Sequence, residues 1–583
     1  MQKSWTPVLF LLAAAVACAQ NLKSVAERIA AQNALFEERY ESDLRNYPER
    51  ATAYGDYRYN DQLNDYSLAG IVERHWEDGA FLQKLEAIPA KDFPEQDQIS
   101  RDLMVRTLEL RAADFDLKEY EMPINTQSGI HFNLADLPLA VPLDSVRHYE
   151  DYIKRLRQIP RAMDQETELL RAGMKDKLMP VKFLAEKIPA QCEGIITADP
   201  FLLPTKKYPA GISDEDQKRL TKEITDAVHT DVLPAYKKFA EFARNEYAPQ
   251  GRTTLAITSL ADGQKRYQND IYSKTSTHMT ADEIHQLGLR EIDRIEAEMT
   301  AVAKRAGFAD LASFRQSLKN DPKYKPKSEE QILDDYRHYI GQMEKKLPDL
   351  FTRIPKSPVT VEAIPEFQAS AMTHYMTGTP DGKRPGRVVV AVSNFAERSL
   401  IDDEAVAYHE GVPGHHMQLS VQQQLQGLPK FRQHSLGLNA YVEGWALYAE
   451  QLGKEVGFYQ DPASDYGRLA SELFRAVRLV VDTGIHAKGW SRDQVVKFMR
   501  KSQAVDEPTI QTETDRYISW PAQALSYKLG QLKFRELRDR ARKELGPKFD
   551  LRKFHDEMLD GGSLPLDMLD ARTNRWIAEQ KAK

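Results

Sequence analysis

Cysteine is almost absent. Two occur in 583 residues, Cys18 and Cys192, which excludes a disulfide framework and a cysteine-rich zinc site. Long apolar runs are missing as well: Val8–Val16 is too short to cross a bilayer, so a polytopic membrane protein is excluded. No basic tract is dense enough to follow a phosphate backbone, and 80 Lys and Arg against 87 Asp and Glu leave a net charge of −7. Nucleic acid is therefore not an expected partner. Fixed-period repeats and low-complexity tracts are lacking too, which excludes a solenoid. What is present, 42% apolar and 29% charged residues, suffices for a sizeable core.

The first residues read as a leader. Lys3 gives a weak positive end, Val8–Val16 an apolar run, and Ala17-Cys18-Ala19 a small-x-small cleavage site, so residues 1–19 are expected to be a secretory signal. Ala15-Val16-Ala17-Cys18 is also an imperfect lipobox, with Ala where Leu is usual. Ordinary cleavage is favoured, with a lipid anchor at Cys18 as the alternative and the only expected membrane contact. The protein is then periplasmic or secreted, and Cys192 is a lone, inert thiol.

Beyond the leader the patterning is mainly α. Thr280-Ala281-Asp282-Glu283 has capping-box spacing, and Ile284, Leu287, Ile292, Ile295, Met299 and Val302 follow at helical intervals. Helices are also expected over Val25–Asn46, Ile71–Leu85, His148–Ala172 and Asp214–Tyr247, with proline-rich connectors at Pro180–Pro209 and Lys319–Lys327. Val359–Val361 and Arg387–Val392, separated by the turn signal Thr379-Pro380-Asp381-Gly382, predict a small sheet. The division expected is an N-terminal helical lobe at 20–250 and a catalytic lobe at 251–583.

The chemistry is concentrated in Asp402–Gln418. His409-Glu410 lies about two turns into a helix whose acidic start, Asp402-Asp403-Glu404, suits the macrodipole. In zinc hydrolases a helical His-Glu pair divides the work: the imidazole binds metal, and the carboxylate is general base towards a water that the metal polarises. The usual second histidine position is here Pro413, and histidines follow at 415 and 416. On an unbroken helix His415 points roughly 120° away from His409, and His416 lies about 10 Å along the axis. Pro413 lacks an amide hydrogen and Gly414 widens the backbone choices, so a break can swing one histidine back. Gly414 directly before it favours His415. Glu443, within the helical pattern Tyr441–Glu450, completes a His, His, Glu set that leaves a position for water. Glu450, on the same face, suits a carboxylate that orients a ligand imidazole.

The chain resembles the bacterial family catalogued as domain of unknown function 885, whose members are secreted or lipid-anchored and taken for zinc metallopeptidases. The resemblance runs from Phe36 to Arg572. It is carried by Pro48-Glu49-Arg50-Ala51-Thr52, Gly55-Asp56, Arg58-Tyr59, Asp65, Glu283–Gly288, His409–His415, Glu443-Gly444-Trp445-Ala446, Arg478–His486, Arg516-Tyr517, Pro521, Gln523-Ala524, Tyr527 and Gly530. It implies His409, His415 and Glu443 as ligands of Zn2+, Glu410 as base, and a large bilobal helical metallopeptidase-like fold broadly similar to carboxypeptidase Taq and the neurolysin-like enzymes. Arg478, Asp482 and His486, spaced i, i+4, i+8, are read as one charged network at the site or as a structural salt bridge. Arg516, Tyr517 and Tyr527 are candidate oxyanion donors, Tyr527 first among them. His131, His285 and His374 read as structural. The Arg387–Val392 strand, if an exposed edge, holds a peptide by backbone pairing, with Asn394 at its end.

The expected function is thus a zinc-dependent peptidase acting on peptides outside the cytoplasm. The competing readings are a metal hydrolase of non-peptide amides or esters and a non-catalytic envelope protein with a structural metal.

Overall fold

The computed structural model describes residues 23–365, 372–434 and 438–583. The expected leader, with Cys18, lies outside them. The chain is mainly helical with one small sheet, and among the described residues no helix is long and apolar enough to cross a membrane.

In the amino-terminal part the principal helices are α1 (Val25–Asn46), α2 (Leu68–Glu86), α3 (Glu95–Asp116), α4 (Val146–Asp176), α5 (Ile188–Ala198), α6 (Asp214–Ala227) and α7 (Leu233–Phe242). Tyr152, Leu156, Ile159, Ile188, Ile224 and Tyr236 meet in a core that runs from Leu63 to Ala248. Two expectations need correction. The stretch from Asp214 to Tyr247 is not one α-helix, because π-helical turns at Val228–Val232 and Ala243–Tyr247 break it. Nor is Pro180–Pro209 only a connector: Ile188–Ala198 is helical, and Pro189 is accommodated in its first turn, where no intrahelical amide hydrogen is needed.

Farther on come α8 (Gly263–Thr275), α9 (Ala281–Arg305) and α10 (Glu329–Glu344). The capping box of α9 is complete, with the Glu283 amide donating to Thr280 and the Thr280 amide to Glu283 at 2.8 Å. After the sheet follow α11 (Asp403–Glu410), α12 (His415–Gln424), α13 (Asn439–Glu455), α14 (Pro462–His486), α15 (Glu507–Ser519), α16 (Ser526–Leu545) and α17 (Leu566–Ala582). Helix α14 is central and packs along α9, where a side chain on Gly288 would collide with Leu479 and Val480.

The sheet has order β1-β3-β2, with β1 (Val359–Ala363) parallel and β2 (His374–Met376) antiparallel to β3 (Gly386–Val390). Arg387–Val390 is therefore the central strand, bonded on both sides, and offers no free edge to a peptide. The three residues of β2 are too few to show an alternating pattern, so the sequence hid the partner that covers this edge. Asn394 is exposed beyond the strand.

Candidate functional site

Helix α11 ends where its own sequence stops it. Pro413 can donate no amide hydrogen, and the ladder gives way after the Gly411 amide reaches Ala407. The Gly414 amide then turns back to Tyr408 at 3.0 Å, and α12 starts at His415. Any side chain at Gly414 would collide with the carbonyl of His409. The reversal is held from outside by buried Trp445, whose indole N–H donates to the Pro413 carbonyl at 2.8 Å.

The break brings the two imidazoles together. The rings of His409 and His415 stand 4.8 Å apart and perpendicular, at 89°. Glu443 of α13 reaches both, with Oε2 3.6 Å from Nε2 of His409 and 3.5 Å from Nε2 of His415. Two turns along α13, Glu450 lies 2.9 Å from Nδ1 of His409. Next to a carboxylate that nitrogen carries the hydrogen, so the Nε2 lone pair is aimed at the shared centre. Nδ1 of His415 is buried without a hydrogen-bond partner.

Charge tells the same story. Burial opposes a charged imidazole at His409, but hydrogen bonds to Glu443 and Glu450 and the nearby Glu410 outweigh it and raise its pKa to about 10. Burial likewise works against ionised Glu443, yet the two imidazoles hold its carboxyl well below the usual carboxylate range. The cluster favours positive charge at its centre. Three donors of a tetrahedral zinc site with bonds of about 2.0–2.2 Å stand roughly 3.3–3.5 Å apart, close to the spacings Glu443 makes here, so the donor set fits a zinc-sized ion. Glu410 also belongs to the cluster, its ligand atom together with those of His409 and His415 falling within 4.8 Å of one another. Its Oε2 is 4.0 Å from His415, farther than Glu443. The side chains of His415 and Glu443 keep 10% and 19% of their surface exposed, so the cluster is open on one side.

Tyr527, at the start of α16, stacks at 20° and 6.4 Å from the His409 ring. Its hydroxyl accepts from Nη2 of Arg516 at 3.4 Å, and Arg516 is itself held by Glu513 and by Gln523. The close crossing of α13 and α16, the helices that carry Glu443 and Tyr527, depends on two glycines. A Cβ on Gly444 would collide with the Gly530 backbone, and one on Gly530 with the Ala440 carbonyl. Gly444→Ala is expected to cost about 1–3 kcal/mol and to lower the thermal unfolding midpoint; an unchanged midpoint would refute the close crossing.

His486 sits elsewhere. It is fully buried, Nδ1 accepting from the Ile257 amide and Nε2 facing the Tyr517 carbonyl at 2.8 Å, and burial lowers its pKa to about 3. Both nitrogens are occupied, so it cannot serve the cluster. Arg478, Asp482 and His486 do not form one network: Arg478 binds Tyr517 and Glu513, while Asp482 accepts from Tyr267 and the Ala522 amide. His131 contacts Gln191, His285 contacts Thr483 and His374 the Met372 carbonyl. Sequence reasoning gave no role to His416, which ties α12 to Tyr375 at 3.1 Å and to the Ser357 carbonyl at 3.0 Å. It also gave none to Trp445, although that residue stands in a quoted motif. Cys192 is buried and free, its thiol raised to about 12 by burial.

Among curated proteins none matches the chain. The crystal structure of a protein called a "putative lipoprotein" from Colwellia psychrerythraea is similar at a TM-score of 0.87 and 26% identity, covering 96% of this chain and 100% of that one. A second, called a "putative lipoprotein of unknown function" from Shewanella oneidensis, shares the fold at a TM-score of 0.69 and 19% identity, covering 94% of this chain and 99% of that one. Residues 48–572 match the family described as "Bacterial protein of unknown function (DUF885)", and the chain belongs to that family.

Proposed function

We propose that the protein is a zinc-dependent peptidase. The observation that carries this reading is one carboxylate oxygen, on Glu443, lying 3.6 and 3.5 Å from the Nε2 atoms of two imidazoles on separate helices. His409, His415 and Glu443 would hold the ion. When bound, zinc supplies a Lewis acid that polarises water and a scissile carbonyl.

The chain's own residues do the rest. Glu450 fixes the tautomer of His409 through the 2.9 Å contact. Glu410 takes the proton from the attacking water and returns it to the leaving amine. The Tyr527 hydroxyl, accepting from Arg516, keeps its own hydrogen for the oxyanion that develops on the substrate. A base and a donor beside a cluster that keeps some exposure at His415 and Glu443 favour an enzyme over a structural metal site, which needs neither. The leader expected from the sequence and the lipoprotein description of the Colwellia relative support a location outside the cytoplasm.

The test is metal analysis with a digested peptide library read by mass spectrometry. One zinc per chain is expected, with hydrolysis abolished by chelation and restored by zinc. Undiminished hydrolysis in metal-free protein would overturn the proposal, and cleavage of esters but not peptides would favour the non-peptide hydrolase.

A further inference from the structure

Helix α14 is buried on every side from Asp465 to His486, with a single exception, Arg475. This residue is half-buried, its guanidinium 6.0 Å from the ring of Tyr527, which itself lies 6.4 Å from the His409 ring. Among the described residues its hydrogen bonds run only to Ser471 of its own helix, from Nη1 to Oγ at 2.8 Å and to the carbonyl at 3.3 Å. Nε is buried without a partner, and among the described residues no carboxylate lies within ion-pair distance of Arg475. Asp402, exposed at the start of α11, senses its charge without pairing to it.

The neighbouring charges do not balance. Arg478 lies 4.5 Å over the same tyrosine ring, and Arg516 bonds the tyrosine hydroxyl. Both share one carboxylate, Glu513, at 3.0 and 3.1 Å. Nη1 of Arg478 is also buried without a partner. Among the described residues, the three guanidinium groups around Tyr527 thus have one acid within ion-pair distance, Glu513. Holding unmatched positive charge in a mostly buried place is unfavourable unless an anion arrives to meet it. Guanidinium is the side chain best shaped to bind a carboxylate.

We propose that Arg475 binds the free C-terminal carboxylate of a short peptide, so that the protein acts from the C-terminal end of its substrates. This rests on the reading of His409, His415 and Glu443 as the reaction centre. It differs from a purely local role, in which the arginines act only on Tyr527 and every substrate is affected alike.

The experiment measures binding by calorimetry to the zinc-loaded Glu410→Gln protein. Three ligands are compared: a short peptide acid, its C-terminal amide, and an amide carrying a Glu side chain. The acid is expected to bind about 10–100-fold more tightly than either amide, the range of a charge-assisted hydrogen bond. Adding Arg475→Met should bring the acid down to the level of the amide and leave amide binding unchanged, which also reports an intact site. Arg475→Lys should restore part of the difference. Equal binding of acid and amide, an unchanged preference in Arg475→Met, equal binding of the Glu-bearing amide, or no binding of any ligand would each overturn the proposal. A protein that prefers the acid through Arg475 but hydrolyses no peptide would retain the carboxylate site and refute the peptidase reading.

Discussion

Exchange of Glu410 for Gln is expected to lower kcat by about 10²–10⁴-fold, the range supplied by a positioned general base, while the purified protein keeps its zinc. Gln has nearly the same shape, so the packing at the end of α11 is preserved. It cannot accept the proton that the attacking water must lose. Retention of metal follows from distance: Glu443 stands 3.5 Å from Nε2 of His415, whereas Glu410 stands 4.0 Å away. On the proposed reading Glu443, not Glu410, closes the ligand set. Metal content and kcat together decide between them. Full activity with zinc bound rejects Glu410 as base. Loss of zinc in Glu410→Gln, with zinc kept in Glu443→Gln, exchanges the two roles.

Most of this arrangement could be read from the sequence, because the features that build it are local. Pro413 followed by Gly414 removes an amide donor and loosens the backbone where α11 ends, and a capping box such as Thr280–Glu283 starts a helix. The carboxylates of α13 share a face by their spacing alone, which is why Glu450 was legible as the partner of His409. The failures came where tertiary packing decides. Arg478, Asp482 and His486 have the spacing of one helical face, but α14 is buried at every one of these positions and the three bond to other groups: Arg478 to Glu513 and the Tyr517 hydroxyl, Asp482 to Tyr267, His486 to the Tyr517 carbonyl. Periodicity cannot show that a helix is covered on nearly every side. For the same reason the exceptional position of Arg475 became visible only once its neighbours on the helix were seen to be covered. The central place of Arg387–Val390 was hidden because β2, which pairs with it, is too short to carry a pattern.

Tyr527→Phe is expected to lower kcat by about 10²–10³-fold, the usual effect of removing one oxyanion donor, with KM nearly unchanged. The substitution isolates the hydroxyl. Phe keeps the ring that lies 6.4 Å from the His409 ring and 4.5 Å below the Arg478 guanidinium, so packing around the cluster is retained and the unfolding midpoint should hold. The hydroxyl accepts from Arg516 at 3.4 Å, which orients its hydrogen away from Arg516 and strengthens it as a donor. Since charge develops on the substrate oxygen only as the carbonyl is attacked, the loss belongs to kcat and to kcat/KM equally. It should also be the same for a peptide acid and for its amide, which separates it from the loss expected at Arg475. A Tyr527→Phe protein with undiminished kcat would leave the tyrosine as a packing residue and return the search for an oxyanion donor to Arg516.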